Sequence, residues 1–248
     1  MASQRSEIFL TILILLFFSL ALLFLILLII SRIKITIALN KKKFFEPIAE
    51  SLVFSVIFEN KSFKDLQKDK AFTTNIHNKF FRLLLLDSVI NLHKAYTGEY
   101  SKKTELFFIE SNLIKETYKK LNSRQWPDKC EGIRELAEMN ITDAYSLISK
   151  NVYSKNVTLK QEAMMAMLKL KGVDGLNFLN NYKETLSDWI QLNLISIIKY
   201  NFPITEVPYY NSFIESSNVS VSLFGKRLKA YYEQSDVPFS EINRCSNS

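Results

Sequence analysis

The chain has 248 residues, and its net charge of +7 does not indicate a nucleic-acid-binding protein. Five positive charges, on Arg32, Lys34, Lys41, Lys42 and Lys43, lie within twelve residues, and the chain from residue 44 onward carries 26 basic against 24 acidic side chains. A domain that binds DNA or RNA carries a basic face of its own, so we expect no nucleic-acid partner. Five glycines and five prolines are too few for many β-turns, so we expect an all-α fold.

Residues 8–30 form one uninterrupted apolar run. The run has no charged side chain, and its polar side chains are those of Thr11 and Ser19. At about 1.5 Å per residue the helix measures roughly 34 Å, more than the hydrocarbon core of a membrane, which is about 30 Å thick. We therefore predict a single transmembrane anchor over residues 1–31. A cleaved signal peptide is the alternative, but the run is longer than a typical signal-peptide core and ends without a small-residue cleavage site.

The basic side chains that follow the run define the predicted orientation. Residues 32–43 are interpreted as a basic juxtamembrane linker, of which residues 33–40 either continue the helix or follow the membrane interface. The positive-inside rule places the C-terminal domain in the cytoplasm, and a domain that faces the periplasm is the alternative. The side chains expected at the headgroups are those of Arg32, Lys34, Lys41, Lys42 and Lys43.

Residues 44–123 are predicted to form an irregular helical part. Pro47 is placed in the first turn of a helix, where proline is tolerated, and the apolar residues of segment 48–57 recur at helical spacing. Thr73 or Thr74 is expected to cap the next helix. A further helix is predicted over residues 101–121, with an apolar stripe of Leu106, Ile109, Leu113, Ile114, Tyr118 and Leu121.

The chain from residue 124 onward resembles itself. Residues 135–153 align with residues 166–184 at an offset of 31, and residues 178–189 align with residues 213–224 at an offset of 35. Such spacings, with a helical pair in each period, are typical of an α-solenoid. We therefore predict helical repeats over residues 124–235 and a disordered tail over residues 236–248. The predicted helices span residues 127–139, 142–151, 158–171, 174–182, 187–200, 206–215 and 220–233, with Asn156, Thr185 and Asn218 as capping residues.

Two segments within these repeats resemble the HEAT-repeat family. The segment Asn156-Val157-x-x-Lys160-x-Glu162-Ala163-x-x-Ala166-Met167-x-x-Leu170 is similar to a HEAT helix, in which a capped turn precedes a basic residue and alanines. The segment Cys130-x-x-Ile133-x-x-Leu136-Ala137-x-Met139 is similar to the helix before it. Met167 and Lys160 depart from the usual leucine and arginine. TPR-like or irregular α-α repeats are the alternatives, although the Trp-Leu-Gly-Tyr pattern of TPR is absent.

One anchor followed by such repeats resembles the membrane-anchored HEAT-repeat proteins of some bacteria. The resemblance implies a single-pass protein of the inner (cytoplasmic) membrane with an armadillo-like α-α superhelix that serves as a protein-binding scaffold. It also implies that small and apolar side chains form the contacts between the repeat helices, namely Ile133, Leu136, Ala137, Ala163, Ala166, Leu170 and Trp189.

No sequence motif for catalysis, nucleotide binding or metal binding is present. The chain lacks GxGxxG, GxxxxGK[ST], HExxH and GxSxG. His77 and His93 would lie about 24 Å apart on one helix, too far to share a metal ion. Cys130 and Cys245 form no motif with them and are expected to be reduced thiols. We therefore expect no catalytic residue, no cofactor and no metal ion.

The leading hypothesis is a membrane-tethered adaptor that presents a surface to a protein partner, such as a membrane enzyme complex. Tyr209, Tyr210, Tyr231 and Tyr232 form two adjacent pairs, and one ring of each pair is a candidate for that surface because neighbouring side chains cannot face the core equally. An enzyme with an unrecognised site in residues 74–121 is one alternative. The other is a structural subunit of a membrane complex whose transmembrane helix pairs with others, although the apolar run lacks GxxxG.

Overall fold

A computed structural model describes residues 2–59, 61–202 and 210–235, and the regular elements in these ranges are all helical. The chain forms two compact units, Met1–Ser88 and Val89–Ser248, whose boundary lies inside a helix. The tail predicted over residues 236–248, with Cys245, lies outside the described residues, as does Tyr209. The α-helices are α1 (Ala2–Phe58), α2 (Phe63–Leu66), α3 (Lys70–Asn75), α4 (Lys79–Ala95), α5 (Glu99–Glu110), α6 (Ile114–Leu121), α7 (Trp126–Glu138), α8 (Tyr145–Ser149), α9 (Val157–Lys171), α10 (Asp188–Asn201), α11 (Tyr210–Ile214) and α12 (Val219–Ser235), and the 3₁₀ helices are Thr142–Ala144 and Gly172–Asn181.

The apolar run and the predicted linker belong to one continuous helix, α1. Of the helices in the described ranges, α1 is the one long and apolar enough to cross a membrane, and its most apolar window is not buried by the rest of the chain. A signal sequence or the core helix of a soluble protein passes the same test of length and composition. The 57 residues of α1 measure about 86 Å, so the apolar run joins the first folded unit without a loop.

The first unit builds its core on one face of the C-terminal part of α1. The ring of Phe45 lies 5.6 Å from that of Phe81 in α4. The placement of Pro47 in a first helical turn is wrong, because this residue lies inside α1. Its missing N–H leaves the carbonyl of Lys43 without the usual helical donor, but the buried side chains on both sides of it hold the helix together. These are Phe45, Ala49, Leu52, Val53, Val56 and Ile57.

The helix start predicted at Thr73 or Thr74 is also wrong. Both threonines lie inside the short helix α3. The next helix, α4, follows Asn78, whose side-chain oxygen accepts a hydrogen bond from the N–H of Phe80 at 2.9 Å. Asparagine is a stronger capping residue than threonine, so the helix starts later than the sequence pattern suggests.

The single helix predicted over residues 101–121 is two helices, α5 and α6. Asn112 between them has a φ of +59°, a left-handed conformation that asparagine adopts at helix ends. This turn changes which side chains face the core. Leu106 and Ile109 are about half exposed, whereas Phe107 and Phe108 are buried. The predicted stripe is therefore wrong for α5.

The first helices of the repeats in the second unit begin at one fixed spacing. The helices α7, α9, α10 and α12 begin at Trp126, Val157, Asp188 and Val219, each 31 residues after the one before. The offset of 35 predicted for the last repeat is wrong, because a match between aromatic side chains masked the true register. The helix α9 contacts both α7 and α10.

Side chains that precede three of these helices cap them. The side chain of Asn156 accepts a hydrogen bond from the N–H of Leu159, as predicted. The side chain of Asn218 caps α12 by accepting the Ser220 N–H at 3.0 Å. For α10 the cap is Ser187 and not Thr185, so that prediction is wrong by two residues.

The elements predicted over residues 142–151 and 174–182 are shorter or more tightly wound than predicted, and the one predicted over residues 206–215 lies partly outside the described residues. Residues 142–151 form the 3₁₀ helix Thr142–Ala144 followed by α8, and residues 174–182 fall mainly in the 3₁₀ helix Gly172–Asn181 rather than in an α-helix. The chain reverses where the sequence predicts breaks, at Asn140 with a φ of +52° and at Gly172 with a φ of +61°.

Ion pairs connect neighbouring helices along the second unit. Burial raises the pKa of the Glu135 carboxyl above its ordinary value, although Lys120 and Thr117 donate hydrogen bonds to it. Partly exposed ion pairs contribute only about 0–1 kcal/mol each to the free energy of unfolding. We therefore infer that these pairs orient the helices more than they stabilise the fold. The pairs are Lys120 with Glu131 and Glu135, Arg134 with Glu162, Lys169 with Glu138, Lys160 with Glu184, and Arg227 with Asp188.

Glycine at one position of the repeat lets pairs of helices touch by their backbones. Gly132 in α7 and Gly225 in α12 are three periods of 31 residues apart and occupy the same place in the repeat. A Cβ atom on Gly132 would lie 2.5 Å from the backbone nitrogen of Leu121, and one on Gly225 would lie 2.7 Å from that of Ile214. Backbone atoms cannot rotate away as a side chain does, so both contacts require glycine.

We expect Gly132→Ala and Gly225→Ala each to lower the free energy of unfolding by about 1–3 kcal/mol through overpacking. In an exposed helix the same change raises the free energy of unfolding by up to about 1 kcal/mol. A decrease instead of an increase therefore indicates the close backbone contact. Urea unfolding of the full chain in detergent, followed by far-ultraviolet circular dichroism, measures it. Ser146→Ala, at an exposed position of α8, is the control and should leave the midpoint unchanged. A raised midpoint for Gly132→Ala would contradict the close approach.

Candidate partner-binding groove

Most of the predicted repeat-packing side chains lie in the core of the second unit, and one does not. Trp189 is 55% exposed, so its predicted packing role is wrong. The side chains of Ile190 and Leu194 in α10 are buried instead, and Trp189 lies one residue, or about 100° of helical rotation, away from Ile190. The buried members of the predicted set are Ile133, Leu136, Ala137, Ala163, Ala166 and Leu170.

The described members of the tyrosine pairs are mainly part of the packing between α11 and α12. The rings of Tyr210 and Tyr232 stack with centroids 6.4 Å apart, and Tyr232 is buried. Tyr231 is half-buried, and the Nζ atom of Lys199 lies 5.9 Å from its ring centroid. Tyr210 and Tyr231 therefore present at most the edges of their rings to a partner, and Tyr209 lies outside the described residues.

Exposed apolar side chains recur instead at the starts of the repeat helices. Trp126 is 47% exposed, Val157 is 61% exposed and Val219 is 83% exposed, and each is the first residue of its helix. Trp189 is the second residue of α10. We call these four side chains the apolar row. The sequence contains this signal as an apolar residue at three of the four positions of the 31-residue period, the exception being Asp188, but the offset of 35 concealed it.

A groove is lined by Val219, the last member of the row. It has a volume of about 800 Å³ and lies where the end of the 3₁₀ helix Gly172–Asn181 meets the starts of α10 and α12. Val219 and Leu223 supply exposed apolar side chains to it, while Asp188, Lys183 and the amides of Asn180 and Asn181 supply polar groups. This mixture suits a segment of another protein, with apolar anchors between polar hydrogen-bonding groups.

Asn218 holds the wall of the groove in place. Its Nδ2 atom donates hydrogen bonds to the carbonyls of Tyr182 and Glu184, both at 2.8 Å, which belong to the preceding repeat. Its Oδ1 atom accepts hydrogen bonds from the N–H and the hydroxyl of Ser220, and the Leu186 N–H donates to the Ser220 Oγ atom at 2.8 Å. These bonds join two repeats through the residues that start α12, so the groove has a fixed shape.

A second polar network lies at the α10 side of the groove. Gln191 is buried, and its Nε2 atom donates to the Leu186 carbonyl at 2.9 Å. Its Oε1 atom accepts from Arg227 at 2.8 Å, and Arg227 also pairs with the exposed Asp188 at 2.6 Å. Both the nitrogen and the oxygen of the buried amide are therefore hydrogen-bonded within the chain. Neither of these two networks places a nucleophile next to a general base.

The region of the alternative enzyme site holds one polar cluster, around His93. His93 is buried, and its Nδ1 atom lies 2.9 Å from the Thr104 hydroxyl and 3.2 Å from the Ser101 hydroxyl. Thr104 also donates a hydrogen bond from its hydroxyl to the Ser101 carbonyl at 2.6 Å. Glu105, 3.9 Å from Nε2, accepts a hydrogen bond from Asn140 and links the cluster to the turn after α7.

The predicted membrane-flanking cations all lie on α1 and are exposed. Lys42 forms an ion pair with Glu46 one turn later, at 3.3 Å. No group of three or more His, Cys, Asp or Glu side chains that could hold a metal ion is found among residues 2–59, 61–202 and 210–235. The exposed cations are Arg32, Lys34, Lys41, Lys42 and Lys43.

Comparison of the chain with known protein families, with curated proteins and with solved structures finds no match.

The phenol of Tyr182, which lines the groove, predicts how the second unit responds to alkali. Burial, together with the nearby carboxylate of Glu184, raises the pKa of Tyr182 from about 10 to about 12. The unfolded chain loses this proton at a lower pH than the folded protein does. The contribution of Tyr182 to the free energy of unfolding is therefore fully present below pH 10 and is lost as the pH rises through 12. We expect Tyr182→Phe to move the alkaline unfolding midpoint to higher pH, as measured by circular dichroism. Tyr200→Phe, at a 79% exposed ring, is the control and should not move it.

Proposed function

We propose that this protein is a membrane-tethered adaptor of HEAT-like helical repeats that binds a segment of a protein partner. The observation that carries the proposal is the recurrence of exposed apolar side chains at the start of each repeat helix, next to a groove with fixed polar walls. Trp126, Val157 and Val219 stand at the same place in their repeats. A surface of this kind along stacked helices is what α-solenoid proteins use to hold extended partners.

The fixed period supports the α-α superhelix in this proposal. Helices that start every 31 residues, with the central helix α9 in contact with its neighbours on both sides, are expected of stacked repeats, each of which contacts only the next. The capped start at Asn156 and the buried Ala163 and Ala166 agree with the HEAT-like pattern of α9. The 3₁₀ form of the second elements is a departure from regular HEAT repeats.

The proposed place of action follows from α1. Its apolar length fits a single membrane span. The five cations that follow the span support, by the positive-inside rule, a location of the repeats on the cytoplasmic face of the inner membrane. The partner in this proposal is therefore a protein of the same membrane or of its cytoplasmic surface, such as a subunit of a membrane enzyme complex. The proposal includes no reaction.

A photo-crosslinking amino acid at Val219 tests the adaptor function. In the producing cells we expect a discrete adduct with one partner in the membrane fraction, because Val219 lies at the groove and is 83% exposed. Leu223→Asp in the same chain should reduce that adduct by about tenfold or more, since a charge in an apolar contact costs more than about 1.4 kcal/mol.

The matched control places the same crosslinker at Lys150, an exposed residue outside the groove. It should give no discrete adduct. Equal adducts at both positions, or an adduct at Val219 that survives Leu223→Asp, would show that the groove does not hold the partner.

A further inference from the structure

The helix α1 carries an apolar ridge on the face opposite its buried side chains. The ridge consists of Ile33, Ile37, Phe44 and Phe54, which are between 50% and 63% exposed. At 100° per residue these side chains fall within a sector of about 100°, and the buried face centred on Ala49 lies on the other side of the helix. The first unit therefore uses one face of α1 for its own core and leaves the ridge outside.

The ridge follows the spacing of a coiled-coil seam. The residues Ile26, Ile30, Ile33, Ile37, Asn40, Phe44, Pro47, Ser51 and Phe54 alternate in steps of four and three, which is the a/d pattern of the heptad. Each of these residues is exposed. Isoleucine occupies four consecutive seam positions, and the polar Asn40 stands at the next one, a d position.

We infer that the ridge pairs with the same ridge of a second copy of this chain, as a short parallel coiled coil at the membrane surface. This inference rests on the membrane insertion proposed for α1 and not on the groove. Anchored copies enter the membrane in the same direction and to the same depth, so that identical seams meet in register. The lipid tails cover the apolar run, but they do not cover Phe44, which follows three lysines and lies about 21 Å beyond Ile30 along the helix.

The size of the ridge suits a reversible pair. A phenylalanine buries about 150–250 Å², so each half-exposed side chain offers on the order of 100 Å², and four from each helix give about 800 Å² in total. Specific complexes of soluble proteins bury about 1,200 Å² or more. Confinement to one membrane raises the effective concentration of the copies, as a linker does, which offsets the smaller area.

Charge makes the pairing dependent on salt. Lys34 and Lys41 lie at e positions of the heptad and Lys43 at a g position, so that like charges flank the seam of the two helices. Their repulsion is screened at higher ionic strength. The coiled coil should therefore strengthen as salt is added, which is the opposite of an interface held by ion pairs.

Cysteine crosslinking of the full chain in liposomes tests the inference. Ile33→Cys on the ridge and Leu39→Cys on another face are both made at positions that are 53% exposed, in a chain that carries Cys130→Ala and Cys245→Ser. We expect a crosslinked dimer from Ile33→Cys at a level at least about fivefold above that from Leu39→Cys, as helix pairs of modest strength produce. The ratio should persist when the lipid is increased about tenfold, because a specific pair outlasts dilution that removes random collisions.

A second pair of variants distinguishes specific pairing along the seam from non-specific hydrophobic association. The double change Ile33→Ser with Ile37→Ser should abolish energy transfer between fluorescently labelled copies, whereas Ile35→Ser with Leu39→Ser should preserve it. Equal crosslinking at positions 33 and 39, loss of the dimer on dilution, or adducts of Ile33→Cys with a different protein would each overturn the inference. Alkaline extraction of the membranes reports insertion separately, so a failed anchor is distinguished from a failed pair.

Discussion

The hydrogen bonds at the starts of α9, α10 and α12 set the spacing on which the second unit depends. Asn156, Ser187 and Asn218 each end a connection and start a helix, so every repeat has the same length although its second element varies from α to 3₁₀. A residue that directly follows a cap lies at the edge of its helix and not against the next one. The apolar side chains at the helix starts therefore remain exposed to solvent. The caps that fix the helix spacing thus also produce the exposed apolar row.

The two surfaces proposed for association arise in the same physical way. In each case a helix has used one face for its own core, and apolar side chains remain on another face. In α10 the buried face holds Ile190 and Leu194 while Trp189 is exposed, and in α1 the buried face holds Leu52 and Val53 while Phe54 is exposed. Large apolar side chains outside a satisfied core are uncommon without a binding role when they form a row or ridge.

The all-helical class and the positions of most helices were predictable from the sequence, because the 3.6-residue period is strong in segments such as residues 157–171. The exact residues at which helices start and break were not predictable. Whether Thr73, Thr74 or Asn78 starts α4 depends on which side chain reaches the free N–H groups, and the position of Asn112 in the left-handed region depends on the packing of Phe107 and Phe108. The groove was hidden for a different reason, since it is made by hydrogen bonds between residues 34 to 36 positions apart, which no local pattern shows.

Pro47 gives α1 a mechanical property that its length alone does not. The helix is one rod from the apolar run to Phe58, so force or rotation applied to the anchor reaches the first folded unit directly. A proline has no N–H to donate to the carbonyl of Lys43. The helix therefore lacks one backbone hydrogen bond here and bends most easily at this point. The rod passes torque along its axis but yields to bending beside the three lysines, so in the membrane-bound state proposed above an undulation of the bilayer would flex it there before it strained the core around Phe45 and Phe81.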